Sequence, residues 1–417
     1  MPGPLQSAFA CVPAGMAACA HALRFLGATL TMLVYVILLL PGFLQMVVYY
    51  FASPSVLRHI PYGSGRRQQL DLYLPPAVAS SSSSSDGEED AGTPRRPVVI
   101  FISGGAWTIG YKAWGALLAR RLSECGCLVA CLDYRNYPRG TPAQMLEDVN
   151  TGVAWVVRNA YSYGGDAGRI TLVGQSAGAH LGALALFSQC EREAAAAAGG
   201  GGGGRSTGGG GGSAVAAAAA AVVSSGGSNG PHASTPASPR LQPGGPKAVH
   251  AGATPEWSPS DVQAFVGISG VYDLPAIAEH LHRRGFGQGV LERIFVIDGQ
   301  PALAELSPLE RAKRWLPATS RRVPRCMLLH GTADQSSPHE GSVQLHDALL
   351  ACGVLSELQL VDGKGHTAFL LEGPMKGGPD LLSDAILRVV KGVEQTHIYP
   401  TLNPGFLCDL AERICPF

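Results

Sequence analysis

The apolar positions along this chain fall into two kinds of run. The first is near the N-terminus. Phe25 to Leu44 (FLGATLTMLVYVILLLPGFL) is twenty residues without a charge, and the apolar run continues past Gln45 to Ala52. Twenty helical residues span about 30 Å, the thickness of a bilayer's hydrocarbon core. No polar face interrupts the run, so the pattern predicts a transmembrane anchor over 25–52, after a short tail at 1–24, rather than a core helix. A cleaved signal peptide fits less well, because the apolar stretch is too long and Ile37-Leu38-Leu39-Leu40-Pro41 offers no small-residue cleavage site. Pro41 predicts a kink, or a break into a membrane-dipping hairpin.

The second kind of run is short, β-branched and repeated. Strands are predicted at Arg96–Ser103, Cys127–Tyr134, Ile170–Gly174, Val262–Ser269, Arg325–His330 and Glu357–Val361. Helical patterns separate or follow them at Ala113–Cys125, Pro142–Asn159, Ala177–Gln189, Ser337–Ala351 and Leu381–Lys391. Strands that are apolar throughout, with helix-length connections, predict an α/β domain whose mostly parallel sheet is covered on both faces. Gln68–Leu74 alternates polar and apolar, which suits an early antiparallel strand with one wet face. The domain is interrupted. It occupies 56–190 and 257–417, and the Gly-, Ala- and Ser/Pro-rich tract 191–256 reads as a disordered insertion in a surface loop. Ser80–Ser85 with the acidic residues that follow reads as a second disordered linker.

Composition narrows the function. The chain has 417 residues with 31 Lys plus Arg against 31 Asp plus Glu, so it lacks the broad positive footprint of a nucleic-acid binder. Of its 54 glycines, 17 lie in 191–256, and the rest of the chain has ordinary globular usage. Ten cysteines without a paired CxxC fit neither a disulfide scaffold nor a zinc ribbon. Cys415 is third from the end, which excludes a prenylation box. No Asp or Glu occurs in residues 1–70; Arg24 precedes the apolar run and Arg58, Arg66 and Arg67 follow it, so the positive-inside tendency favours a cytosolic C-terminal domain.

The chemistry lies in loops at strand ends. Gly174-Gln175-Ser176-Ala177-Gly178 matches G-x-S-x-G, follows the strand ITLV and opens the helix AHLGALALF. That context marks a nucleophile elbow, where a sharp turn exposes the serine and leaves no room for side chains two positions away. A serine hydroxyl needs a base, and the base an orienting acid, in the order Ser, Asp, His for this architecture. Asp334, just past the strand CMLLHG, and His366, just past ELQLVDG, are the candidates. Among competitors, His330 at a strand end and His180 on the helix after the serine read as structural. His339 and His346 lie on a helix facing away, His280 and His282 on a solvated face, and Asp362 is too close to His366 in sequence. Ser103-Gly104-Gly105-Ala106-Trp107 resembles an HGGG-type turn with serine in place of histidine. Backbone N–H groups of Gly104, Gly105 and Ala177 are therefore the expected oxyanion donors. The predicted mechanism uses no metal and no cofactor.

With these motifs assembled, the sequence resembles the isoprenylcysteine α-carbonyl methylesterases. The resemblance rests on GGAWTIGYKAWGALL (104–118), VACLDYRNYPRGT (129–141), YGGDAGRITLVGQSAGAH (163–180), VGISGVYDL (266–274), HLHRRG (280–285), LLHGTADQSSP (328–338) and GKGHTAFLLEGPMKGG (363–378). It implies an α/β-hydrolase fold and a membrane esterase of the endoplasmic reticulum or Golgi that hydrolyses the methyl ester of prenylated cysteine. It also implies Ser176, Asp334 and His366 as the triad, with substrate-binding turns at Gly104–Ala106 and Gln175–Ala177. The chain departs from the pattern in its two low-complexity tracts and in Ala368 and Leu371 after the histidine. Trp107, Tyr111, Trp114, Phe265 and Phe369 are candidates to line an apolar groove, and Lys112 is expected to be solvated. An anchored lipid esterase, an arylacetamide-type deacetylase and a non-catalytic binding relative are the rival readings, and the oligomeric state stays open.

Overall fold

The computed structural model describes residues 14–76, 94–199, 257–285 and 289–415. The Ser-rich acidic linker and the insertion beyond Gly199 lie outside them. An eight-stranded sheet carries the architecture: β1 (Val56–Pro61), β2 (Gln69–Tyr73), β3 (Arg96–Ile102), β4 (Leu128–Leu132), β5 (Gly165–Gln175), β6 (Val262–Ile268), β7 (Arg325–Gly331) and β8 (Ser356–Val361). Their spatial order is β1-β2-β4-β3-β5-β6-β7-β8, antiparallel at β1–β2 and β2–β4 and parallel from β4 to β8. The principal helices are α1 (Ala14–Ala52), α2 (Ala116–Glu124), α3 (Pro142–Asn159), α4 (Ala177–Gly199), α5 (Leu274–Arg283), α6 (Glu340–Ala351), α7 (Leu381–Lys391) and α8 (Gly405–Ile414).

Side chains alternate across the strands, so the sheet separates two cores. Val98, Ile100 and Ile102 of β3 pack with α3 and α4 on one face, while Val99 and Phe101 pack with α1, α2 and α7 on the other. Every residue of Leu128–Leu132 is buried, as an inner strand covered on both faces requires. Thr141 and Gln144 form a capping box and Pro142 occupies the first helical turn, which sets the start of α3 at the expected residue.

Several expectations are corrected. Helix α4 runs ten residues past Gln189, so the first part of the tract read as a disordered insertion is helical. Alanine has the highest helix propensity, and Ala194–Ala198 simply continue the helix. The predicted helix 113–125 splits into a 3₁₀ turn (Lys112–Gly115) and α2, while α6 begins at Glu340 because Ser336 and Ser337 wrap Asp334 instead. Strand β2 has no wet face: Asp71 is fully buried, accepts from Tyr50 Oη (2.6 Å) and the His59 amide (2.8 Å), and pairs with Lys112 Nζ at 3.2 Å. Lys112 is accordingly buried rather than solvated.

Helix α1 explains that burial. It is continuous through Pro41, which removes the hairpin alternative, and it lies along the domain. Tyr35, Leu39, Met46 and Tyr50 are buried at spacings of four, seven and four residues, a single helical face. Polar groups fasten that face: Gln45 Nε2 donates to the Leu402 carbonyl (2.5 Å) and Asn403 Nδ2 to the Leu38 carbonyl (3.1 Å). The opposite face exposes Leu33, Ile37, Leu40, Leu44 and Val47. Thr29–Ala52 has a mean hydropathy of 2.2 in its most apolar window, long and apolar enough to cross a membrane. The run keeps an apolar outer face as expected, and its other face docks on the domain, a stripe that composition alone does not separate from the rest.

Candidate active site

The elbow is built by backbone. Strand β5 ends at Gln175 and α4 begins at Ala177, leaving Ser176 alone at φ 53°, a left-handed conformation that costs a non-glycine residue of order 1 kcal/mol or more. The Ser176 amide donates to the Ile268 carbonyl of β6 at 2.9 Å and holds the turn against the sheet. A Cβ on Gly174 would stand 2.6 Å from Ala179 Cα, and one on Gly178 would fall onto the Ile102 carbonyl oxygen. Both glycines of the motif are thus required by close backbone approach.

The Gly-Gly loop lies beside it. Gly105, Ala106 and Trp107 have successive positive φ angles of 122°, 46° and 59°. A Cβ on Gly104 would come within 2.9 Å of Ser176 Cβ, so this loop passes directly over the serine. Ser103 is buried and its hydroxyl has no partner among the described residues; the loop is fixed instead by Tyr134 Oη donating to the Ser103 carbonyl at 3.0 Å. Trp107 is buried and its Nε1 donates to His180 Nδ1 at 3.2 Å, while His180 Nε2 donates to the Leu306 carbonyl at 2.8 Å. Burial pushes the His180 imidazole down to about 4, so it is neutral at pH 7 and free to accept from Trp107. His180 packs as expected, and it also ties the Gly-Gly loop to the segment after β6.

Asp334 sits in the loop after β7 and His366 in the loop after β8. His366 Nδ1 donates to Asp334 Oδ2 at 2.7 Å. Asp334 Oδ1 accepts from the amides of Ser336 (2.9 Å) and Ser337 (2.8 Å). Burial alone would raise this carboxyl, but hydrogen bonds from His330 and His366 outweigh it and hold Asp334 well below the ordinary carboxylate range. The bond at Nδ1 leaves His366 Nε2 as the basic nitrogen, and it faces Ser176's neighbour Gln175, whose Nε2 lies 3.4 Å away.

One contact of Asp334 was not anticipated. His330, read as structural, is fully buried and donates from Nε2 to Asp334 Oδ2 (3.0 Å) and to the Ser337 carbonyl (2.8 Å), with Nδ1 2.7 Å from Ser342 Oγ. Two imidazoles therefore share one carboxylate oxygen. The four-residue spacing of His330 and Asp334 was the available signal. Of the other competitors, Asp362 accepts from Thr332 Oγ1 (2.9 Å) and His346 Nδ1 meets Ser356 Oγ (2.9 Å), while His280 reaches the Asp334 loop and donates to the Gln335 carbonyl (2.7 Å). Of the aromatic groove candidates, Phe265, Phe369 and Trp107 are buried, Tyr111 is half-buried and Trp114 is exposed beside Ile109. An open cavity of about 660 Å³ reaches Asp334 from the side of Tyr272, His280 and Arg284 and does not include Ser176. No cluster of His, Cys, Asp and Glu able to hold a metal occurs among the described residues.

The BD-FAE family model matches residues 88–199, the stretch that holds the Gly-Gly loop and the elbow. A probable isoprenylcysteine alpha-carbonyl methylesterase of Oryza sativa subsp. japonica is 37% identical over 405 residues, covering 94% of this chain and 78% of the relative. The isoprenylcysteine alpha-carbonyl methylesterase of Arabidopsis thaliana is 34% identical, covering 94% and 78%. The chain belongs to the isoprenylcysteine alpha-carbonyl methylesterase family. It is a carboxylic ester hydrolase of the α/β-hydrolase fold. Esterase LipQ of Mycobacterium tuberculosis (strain ATCC 25618 / H37Rv) is 40% identical over 131 residues, 31% of this chain and 28% of that protein.

Proposed function

We propose that this family member is a membrane-bound serine esterase that hydrolyses the C-terminal methyl ester of isoprenylated cysteine, releasing methanol and a free carboxylate. The observation that carries the mechanism is the 2.7 Å bond from His366 Nδ1 to Asp334 Oδ2, which frees Nε2 as base on the side of the Ser176 elbow. Ser176 attacks the ester carbonyl as His366 takes its proton, and Asp334 stabilises the imidazolium. The amides of Gly104, Gly105 and Ala177 donate to the oxyanion, with Ala106 and Gln175 shaping the two turns. His366 then protonates the departing methoxide, and a water activated by the same nitrogen cleaves the acyl-enzyme. The residues present supply nucleophile, base and oxyanion donors without metal or cofactor.

The substrate assignment rests on the relatives' names and on the apolar outer face of α1. A prenyl chain partitions into lipid, and an enzyme held at the bilayer by Thr29–Ala52 would meet it there. The same reading gives an endoplasmic reticulum or Golgi membrane with the catalytic domain in the cytosol. The test is methanol release from farnesylcysteine methyl ester by the full chain and by Ser176→Ala, with a butyrate ester in parallel. Serine-dependent hydrolysis well above the butyrate rate supports the assignment. Serine-dependent butyrate cleavage alone moves the chain to the lipid-esterase reading, and no hydrolysis of either refutes the mechanism.

A further inference from the structure

The loop that carries His366 is gripped from outside the α/β core. Thr367, the next residue, donates from Oγ1 to Glu372 Oε1 at 2.9 Å. Tyr35 of α1 donates from Oη to the same oxygen at 2.6 Å, and its hydroxyl lies 3.1 Å from Thr367 Oγ1. Glu372 is 1% exposed, and its Oε2 has no hydrogen-bond partner among the described residues. Burying a carboxylate is unfavourable unless hydrogen bonds compensate it, so such a group is a poor device for mere packing. Burial pushes this carboxyl up from its ordinary value, against the pull of Tyr35 and Thr367. Two weaker contacts come from α8 and the residue after it: Cys415 Sγ lies 3.3 Å from Thr367 Oγ1, and the pair of Lys364 with Glu412 at 2.8 Å is partly exposed and contributes little once screened.

We propose that Glu372 is a positioning residue that couples helix α1 to the catalytic histidine: by holding Tyr35 and Thr367 on one oxygen, it sets where the His366 ring sits. The apolar N-terminal helix is then part of the active-site scaffold as well as an attachment. The physical stake is large, because a misplacement of about 1 Å in a reacting group costs about 100-fold in rate. The proposal rests on His366 being the base, as inferred above.

The experiment uses the detergent-solubilised full chain and two readouts: kcat and KM on a soluble butyrate ester, and the rate at which a fluorophosphonate labels Ser176. Glu372→Leu removes the acceptor and is expected to lower kcat and labelling about 10- to 100-fold, with KM within about twofold. Glu372→Gln keeps an acceptor oxygen and is expected to recover to within about threefold of wild type. Tyr35→Phe should lose about five- to tenfold, and adding it to Glu372→Leu should lose nothing more, since both act through one oxygen. Gln45→Leu breaks a different α1 contact and should leave kcat unchanged. Should Glu372→Leu fail to fold, Tyr35→Phe decides. Wild-type labelling rates in Glu372→Leu and Tyr35→Phe overturn the proposal, as does an equal loss in Gln45→Leu or no recovery in Glu372→Gln. An unlabelled wild-type protein would instead refute the Ser–His–Asp reading itself.

Discussion

The two halves of the candidate active site are made by different means. On the β5 side, the elbow and the Gly-Gly loop are shaped by backbone: two glycines at closest approach, a left-handed Ser176, and three successive positive φ angles at 105–107. On the β7–β8 side, the candidate acid and base are held by a mixture of neighbouring groups and side chains brought from far along the chain. His330, the Ser336 and Ser337 amides and His366 converge on Asp334, and Tyr35 reaches the next loop across 337 residues to Glu372. A backbone device is local and leaves a motif. A side-chain device is assembled by tertiary contact and leaves isolated residues that look ordinary in sequence.

The comparison can be broken in four ways. The largest effect is expected for Ser176→Ala, which should lower kcat on an ester about 10⁴- to 10⁶-fold while the melting temperature changes little, because the elbow does not depend on the hydroxyl. A large fall in melting temperature alongside would show that the serine also holds the fold.

The next is pH. His180, on the β5 side, has a folded-state value of about 4 against an ordinary 6.5. The unfolded chain binds the extra proton between these values, so stability is full above pH 6.5 and falls as pH drops toward 4, by about 3 kcal/mol. Asp334 acts in the same direction at lower pH: its carboxyl is held below the ordinary range, so its contribution is present above that range and is lost with further acidification. Denaturant midpoints from pH 7.5 to 4 would measure the first step, and His180→Gln should flatten it. An unchanged slope in that variant would assign the proton uptake to another group.

On the β7 side, His330→Leu is expected to lower kcat about 10- to 100-fold and to weaken the fold together, since Asp334 loses a buried donor. Loss of activity without loss of stability would mean that His330 tunes the acid rather than holding it. The smallest effect is expected for Trp107→Phe, which keeps the ring against Phe295 and removes only the Nε1 bond to His180. About a threefold loss in kcat, with KM unchanged, fits one neutral hydrogen bond that steers the Gly-Gly loop.

How much of this was readable follows the same division. Pro142–Asn159 and Leu381–Lys391 form the helices expected of them at both ends, because capping residues and an apolar stripe act within a turn or two. The inner parallel strands were readable because burial on both faces makes them largely apolar, whereas the edge strand Ser356–Val361 has no fully buried residue. Helix α4 was read too short because the tract after Gln189 was judged by its low complexity, whereas alanine simply prolongs a helix already nucleated. Strand β2 was given a wet face because Asp71 and Gln69 alternate with leucine, and only the presence of α1 and Lys112 over that face turns a solvated carboxylate into a buried one.

By itself, then, the sequence determined the α/β architecture and the turn at Ser176 and pointed to Asp334 and His366 as candidates, since each depends on periodicity, steric necessity or a strand-end position within a few residues. Tertiary structure alone decided that α1 lies docked along the catalytic domain, that His330 shares the oxygen of Asp334, and that Glu372 ties Tyr35 to Thr367. The contacts of α1 join partners far apart in the chain, and the two close pairs depend on which buried neighbours surround them. The free energy that makes them, desolvation offset by specific hydrogen bonds, exists only once the elements have been brought together.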